Sequence, residues 1–209
     1  MFNKKTTEIK FLEKLEKDIL TPITFIQGYV GILKNDKDLS KNSVNKVSRI
    51  EKSAERILLT TQSLLMIYNL NQDNKKIKLE SMPLLSNIHE SVDKYIRIAN
   101  NRKINFSLEC QNTNKVITNK KYFNYIISIL SQEILIALEK GSINLIIKKE
   151  GSDMLVIFET VFNQDNQINL SHTTGYELAQ LFLKKVNNKI SHTKKDNVQK
   201  ISIRLLSAD

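Results

Sequence analysis

Few side chains in this sequence are of types that do chemistry, and their spacing limits what each could do. Asp18 and Thr21 stand three apart, so a helix carrying them would set a carboxylate and a hydroxyl on one face. Pro22 follows at once, removes the backbone bond to the Asp18 carbonyl and should bend such a helix there. The plainer reading of the pair is a hydroxyl bonded near that bend beside a solvated charge. Lys17, next to Asp18, is an ammonium at neutral pH and lacks the free lone pair of a nucleophile. His89, His172 and His192 are widely separated and show no metal-ligand spacing, so surface or satisfied rings are expected. Cys110 has no second cysteine with which to form a disulfide and is not expected to be reactive. With five Gly and two Pro in the whole chain, a Gly-rich phosphate cradle is hard to build.

The elements that must position these residues follow from hydrophobic rhythm. Ile9, Leu12, Leu15, Ile19, Ile23, Ile26, Val30 and Leu33 recur at steps of three or four, the mark of one long amphipathic helix. A polar connector at 35–42 interrupts the pattern. A second stripe follows in Val44, Val47, Ile50, Ala54, Ile57, Leu58, Leu64, Leu65 and Tyr68. Two such helices joined by a short loop form an antiparallel hairpin, and one hairpin alone cannot bury stripes of this length. A homodimeric four-helix bundle can.

Beyond a polar joint at 71–76 the texture changes. A short strand is expected at 77–79, a helix opening at Pro83, strands at 104–108 and 116–118, and a strongly apolar helix over 122–138. Strands at 142–148 and 154–160 flank Glu150-Gly151-Ser152-Asp153, a hairpin signal. A polar stretch at 163–174 leads into a helix from Gly175 to Val186, and strands at 189–193 and 199–205 close the sequence. The fold class is α+β, with domains expected at 1–72 and 73–209 and a mostly antiparallel sheet in the second.

Composition narrows the function classes. The chain has 209 residues, is 41% hydrophobic and 26% charged, and so has the balance of a folded protein. Its formal charge is +10, but the lysines are spread throughout, without a basic run interleaved with aromatics, so nucleic acid is not an expected partner. A single cysteine, unable to form an internal disulfide, fits a reducing compartment, and no apolar run reaches the roughly 18 residues of a spanning helix. The start leads into a charged amphipathic stretch, not a signal-peptide core. A cytoplasmic protein without a membrane segment in this chain is the expectation.

The segment Glu16-Lys17-Asp18-Ile19-Leu20-Thr21-Pro22-Ile23-Thr24 resembles the phosphoacceptor motif of bacterial sensor histidine kinases, Ser-His-Glu-Leu-Arg-Thr-Pro-Leu-Thr. Asn69-Leu70, Lys78-Leu79, Pro83-Leu84-Leu85, Ile104 and Val116 resemble the run from the second dimer helix into the kinase ATPase domain. The stretch from Tyr125 to Leu138 falls where that family has its Asn box, Val156 to Val161 at the first Gly box, and Thr173 to Leu178 at the second. The resemblance implies a dimeric phosphoacceptor-like hairpin followed by an ATPase-like α/β sandwich.

It also implies which residues have been replaced. Lys17 stands where the family has the histidine that attacks the ATP γ-phosphate. Glu133 stands at the Mg²⁺-binding asparagine and Glu159 at the adenine-binding aspartate, followed by side chains where the family has glycines. Gly175 is the surviving glycine of the second box, and Glu177 would bring negative charge to the phosphate-binding helix start. No cofactor or metal is therefore expected at Glu133, Glu159 and Gly175. Asp18 and Thr21 match residues that, in kinases of this type, orient a water at the aspartyl phosphate of the response regulator. The expectation is a degenerate, kinase-like scaffold of two-component signalling that binds a response-regulator receiver domain or a histidine kinase. The alternative is a response-regulator phosphatase or a histidine-phosphotransferase-like phosphorelay protein.

Overall fold

The computed structural model describes residues 4–36, 38–72, 77–111, 115–163 and 168–208, with side chains from residue 17 onward apart from 69, 71 and 72. The side chains of Ile9, Leu12, Leu15 and Glu16, most of the joint at 71–76, and 164–167 of the polar stretch lie outside them. The chain divides into two compact units, Met1–Asn69 and Leu70–Asp209.

The first unit is a helical hairpin of α1 (Lys4–Lys34) and α2, which spans Lys41–Gln72 and enters the second unit at Leu70. Ser40 opens α2, its hydroxyl accepting the Ser43 N–H at 3.2 Å, as a helix cap does. Lys34 and Glu51 form an ion pair at 2.9 Å across the loop. Only part of each apolar stripe is buried within one chain. Ile23 and Val30 on α1, and Val47 and Ala54 on α2, are covered, while the buried leucine of the next turn is Leu59 and not the expected Leu58. Ile50, Ile57 and Leu64, spaced by seven, remain open on α2, as do Phe25 (63% exposed), Tyr29 (68%) and Ile32 (68%) on α1.

The second unit packs three helices, α3 (Leu84–Asn101), α4 (Lys120–Ala137) and α5 (Thr174–Lys185), on one face of a five-stranded sheet. The sheet strands are β2 (Asn105–Cys110), β4 (Gly141–Glu150), β5 (Asp153–Phe162), β6 (Lys189–Lys195) and β7 (Val198–Leu206). Their order is β2-β4-β5-β7-β6, parallel between β2 and β4 and antiparallel elsewhere. A separate two-stranded ribbon pairs β1 (Glu80–Pro83) with β3 (Lys115–Thr118). The strand expected at 77–79 is thus displaced to 80–83. The Lys78 carbonyl is taken instead by the Asn119 side-chain amide at 2.8 Å.

Strand alternation decides what faces the helices. On β5 the even positions Met154, Val156, Phe158, Thr160 and Phe162 are buried, because successive side chains of a strand point to opposite faces. On β7 the inward set is Gln199, Ile201, Ile203 and Leu205, and on β4 it is Ile143, Leu145 and Ile147. From the helices, Ile88, Val92, Ile127, Leu130, Ile134, Leu178 and Phe182 are buried as well. The outward face carries cross-strand charge: Arg204 donates to Asp153 and to Glu150, and these hydrogen bonds, Asp153 first, push the guanidinium further above its ordinary value, with the two negative charges adding to them.

A polar ladder joins α3 to α4. Asn87 meets Asn124, Ser91 meets Ser128 and Tyr95 meets Gln132, each pair 37 residues apart. Two helices at a constant sequence offset run parallel, so a rung recurs at each four-residue step.

Candidate functional site

On α1, Lys17, Asp18 and Thr21 are all exposed, and the helix runs uninterrupted through Pro22. The carboxylate and hydroxyl share a face, three residues apart. The hydroxyl seen bonding to backbone beside the proline belongs to Thr24, which donates to the Leu20 carbonyl at 2.8 Å.

In the second unit the three positions singled out by sequence part company. Glu133 on α4 and Gly175 at the start of α5 come together: the Gly175 N–H donates to the Glu133 carboxylate at 2.8 Å. Glu159 goes elsewhere. Its odd position on β5 turns it to the outer face of the sheet, where it pairs with Lys200 directly across on β7. The residue turned toward the helices is Thr160, wholly buried, whose hydroxyl has no hydrogen-bond partner among the described residues. Valine at 160 keeps the shape and removes that unpaired group. We expect Thr160→Val to raise stability by about 1 kcal/mol, read as a higher urea midpoint at unchanged slope; a fall would mean the hydroxyl has a partner.

Thr160 faces Gln199 across the ladder, and Gln199 is the site residue that sequence reasoning missed. It is fully buried. Its amide oxygen accepts the Leu170 N–H at 3.0 Å and lies 3.0 Å from His192 Nε2, while its amide nitrogen donates to the Ile168 carbonyl at 2.8 Å. Since the oxygen accepts in both contacts, Nε2 of His192 carries a proton. The His192 ring meets Tyr176 edge-on at 6.2 Å, and burial pushes the Tyr176 phenol above its ordinary value.

This amide thus ties the root of the 163–174 stretch to the sheet. Gln199→Leu strands the Leu170 N–H and the Ile168 carbonyl, at a cost of about 3 kcal/mol. Faster amide exchange at Leu170, beyond the change at core amides of β4, is the local signature. His89 and His172 are exposed. Among the described residues no group of three or more His, Cys, Asp or Glu is arranged to hold a metal ion, and no helix is long and apolar enough to cross a membrane.

No family model and no curated protein matches the sequence. Solved structures do match. The histidine kinase AdeS of Acinetobacter baumannii is similar at a TM-score of 0.61 and 11% identity, over 92% of this chain and 98% of that one. Full-length ShkA in complex with AMPPNP gives 0.64 at 11% identity over 95% of this chain, which spans only 46% of that one. The histidine kinase ThkA in complex with the response regulator TrrA gives 0.60 at 14% identity over 98% of this chain and 64% of that one. Likeness at such identities concerns the fold. A helical hairpin followed by an ATPase-like α/β domain, this chain has the fold of a histidine kinase catalytic core.

Proposed function

We propose that the chain is a catalytically degenerate histidine-kinase-like protein of two-component signalling, a cytoplasmic homodimeric scaffold that binds a receiver domain or a kinase. The observation that carries this reading is Lys17, an exposed ammonium in the place where the resemblance has the reactive imidazole. Protonated lysine cannot attack a phosphoryl group. Support comes from the second unit, where Glu159 engages Lys200 and Glu133 engages Gly175. The dimer is supported by the open apolar rows of the hairpin, Phe25, Tyr29 and Ile32 on α1 and Ile50, Ile57 and Leu64 on α2, since rows of exposed apolar side chains mark interaction surfaces. ThkA in complex with TrrA supplies the kind of partner.

The test is in two parts. Incubation with γ-labelled ATP and Mg²⁺ should leave the chain unlabelled, while immobilised chain should retain a receiver domain or a kinase from the same cell. Labelling, or failure to retain any of them, overturns the scaffold reading.

A second reading, a response-regulator phosphatase, is favoured by one observation: Asp18 and Thr21 are both exposed on one helical face. Under it, the chain speeds loss of acyl phosphate from its receiver, and Asp18→Ala and Thr21→Ala each slow that loss by about 10²-fold. Equal rates for all three proteins leave the scaffold alone.

A further inference from the structure

We propose that Glu133 acts as a tethered anion, its carboxylate filling from within the chain the place at the α5 N-terminus that a dissolved anion would otherwise take. The first N–H groups of a helix have no partner inside it and carry partial positive charge, so such an end attracts an anion. Here three of these donors are used internally. The Thr173 N–H bonds to the Leu170 carbonyl at 3.4 Å, and the Thr173 hydroxyl accepts the Tyr176 N–H at 3.4 Å. The Gly175 N–H goes to Glu133, which comes from α4, 42 residues earlier.

Glycine at 175 fits this role. Its backbone does not need a left-handed angle; what it supplies is room. A Cβ there would lie 2.5 Å from Glu133 Oε2 and 2.9 Å from its carboxyl carbon. The carboxylate therefore sits where any other side chain would stand. From Gly175 the connections continue, because the Thr173 hydroxyl donates to the Leu170 carbonyl at 3.0 Å and Leu170 is held by Gln199. A ligand that ordered α5 and the 163–174 root would have to bond this same helix end. With Glu133 in place the order is built in, and the second unit holds its shape without a bound anion. None of this depends on which protein the hairpin engages.

The test compares the full chain with Glu133→Gln and Glu133→Ala in inorganic phosphate and in chloride at equal ionic strength. Phosphate stabilises folded proteins in general, so the quantity read is the extra rise in thermal midpoint of a variant over the native chain. Glu133→Ala is expected to melt roughly 4 °C or more below the native chain and to recover at least half of that loss in phosphate. Glu133→Gln, which keeps an acceptor but no charge, should fall between the two. A variant as stable as the native chain, or a loss that phosphate does not restore, overturns the proposal. Should neither variant fold, amide exchange of the native chain decides: Gly175 slowed on the order of 10²-fold supports the contact, and exchange at the free-peptide rate overturns it.

Discussion

Alanine at position 141 is expected to cost the second unit about 4 kcal/mol or more, enough to leave it partly unfolded at room temperature. Gly141 opens β4 with a φ of +139°, a region closed to side-chain-bearing residues. A Cβ there would lie 1.9 Å from the Val161 carbonyl oxygen, a backbone atom fixed by the β4–β5 ladder, and 3.1 Å from Leu138. The Val161 carbonyl cannot yield without parting two central strands. A urea titration followed by far-UV circular dichroism measures the loss. A midpoint within error of the native chain would show that the strands open more easily than the register implies. Alanine at Gly28, with nothing within 4 Å of the added carbon, is the control, and mid-helix it should stabilise slightly.

The double substitution Ile50→Asp and Ile57→Asp should turn the proposed dimer into a monomer, weakening association on the order of 10³-fold or more. Both isoleucines are about half exposed within one chain, and they lie seven residues apart on the open face of α2. That spacing is the seam of paired helices. Bringing two seams together would bury four isoleucines, and aspartate in their place would carry four charges into an apolar core. Light scattering during size-exclusion chromatography reads the mass directly. A native chain that already runs as a monomer at micromolar concentration removes the bundle from the reading. Since these side chains make no core within their own unit, the variant's helical content should be unchanged.

Much of this architecture could be read from the residues, because burial imposes a period. The two helical stripes mark α1 and α2, and the alternation of Met154, Val156 and Phe158 marks β5. Which part of a stripe is covered within one chain could not be read: Val47 and Ile50 are chemically alike, and only the path of the neighbouring helix tells them apart. The Glu159 placement had a signal that went unused. The even-numbered apolar residues of β5 fix the parity of the strand, and the same count carries Thr160 inward and Glu159 outward. Gln199 had a similar marker, being in phase with Ile201, Ile203 and Leu205. The docking of Glu133 on Gly175 had none. It depends on how α4 and α5 approach over 42 intervening residues, which no local pattern encodes.

The β6 strand lies at the border of the sheet, with its outer backbone groups unpaired by any other strand of that sheet. Such a border is a template for self-association into fibrils. Three of its seven residues, Lys189, Lys194 and Lys195, are lysines, and all are exposed. Two copies meeting border to border would bring like charges together, so these ammonium groups act as gatekeepers against templated aggregation. Acetylating them, or shielding them with a polyanion, would lift that guard while leaving every core contact intact.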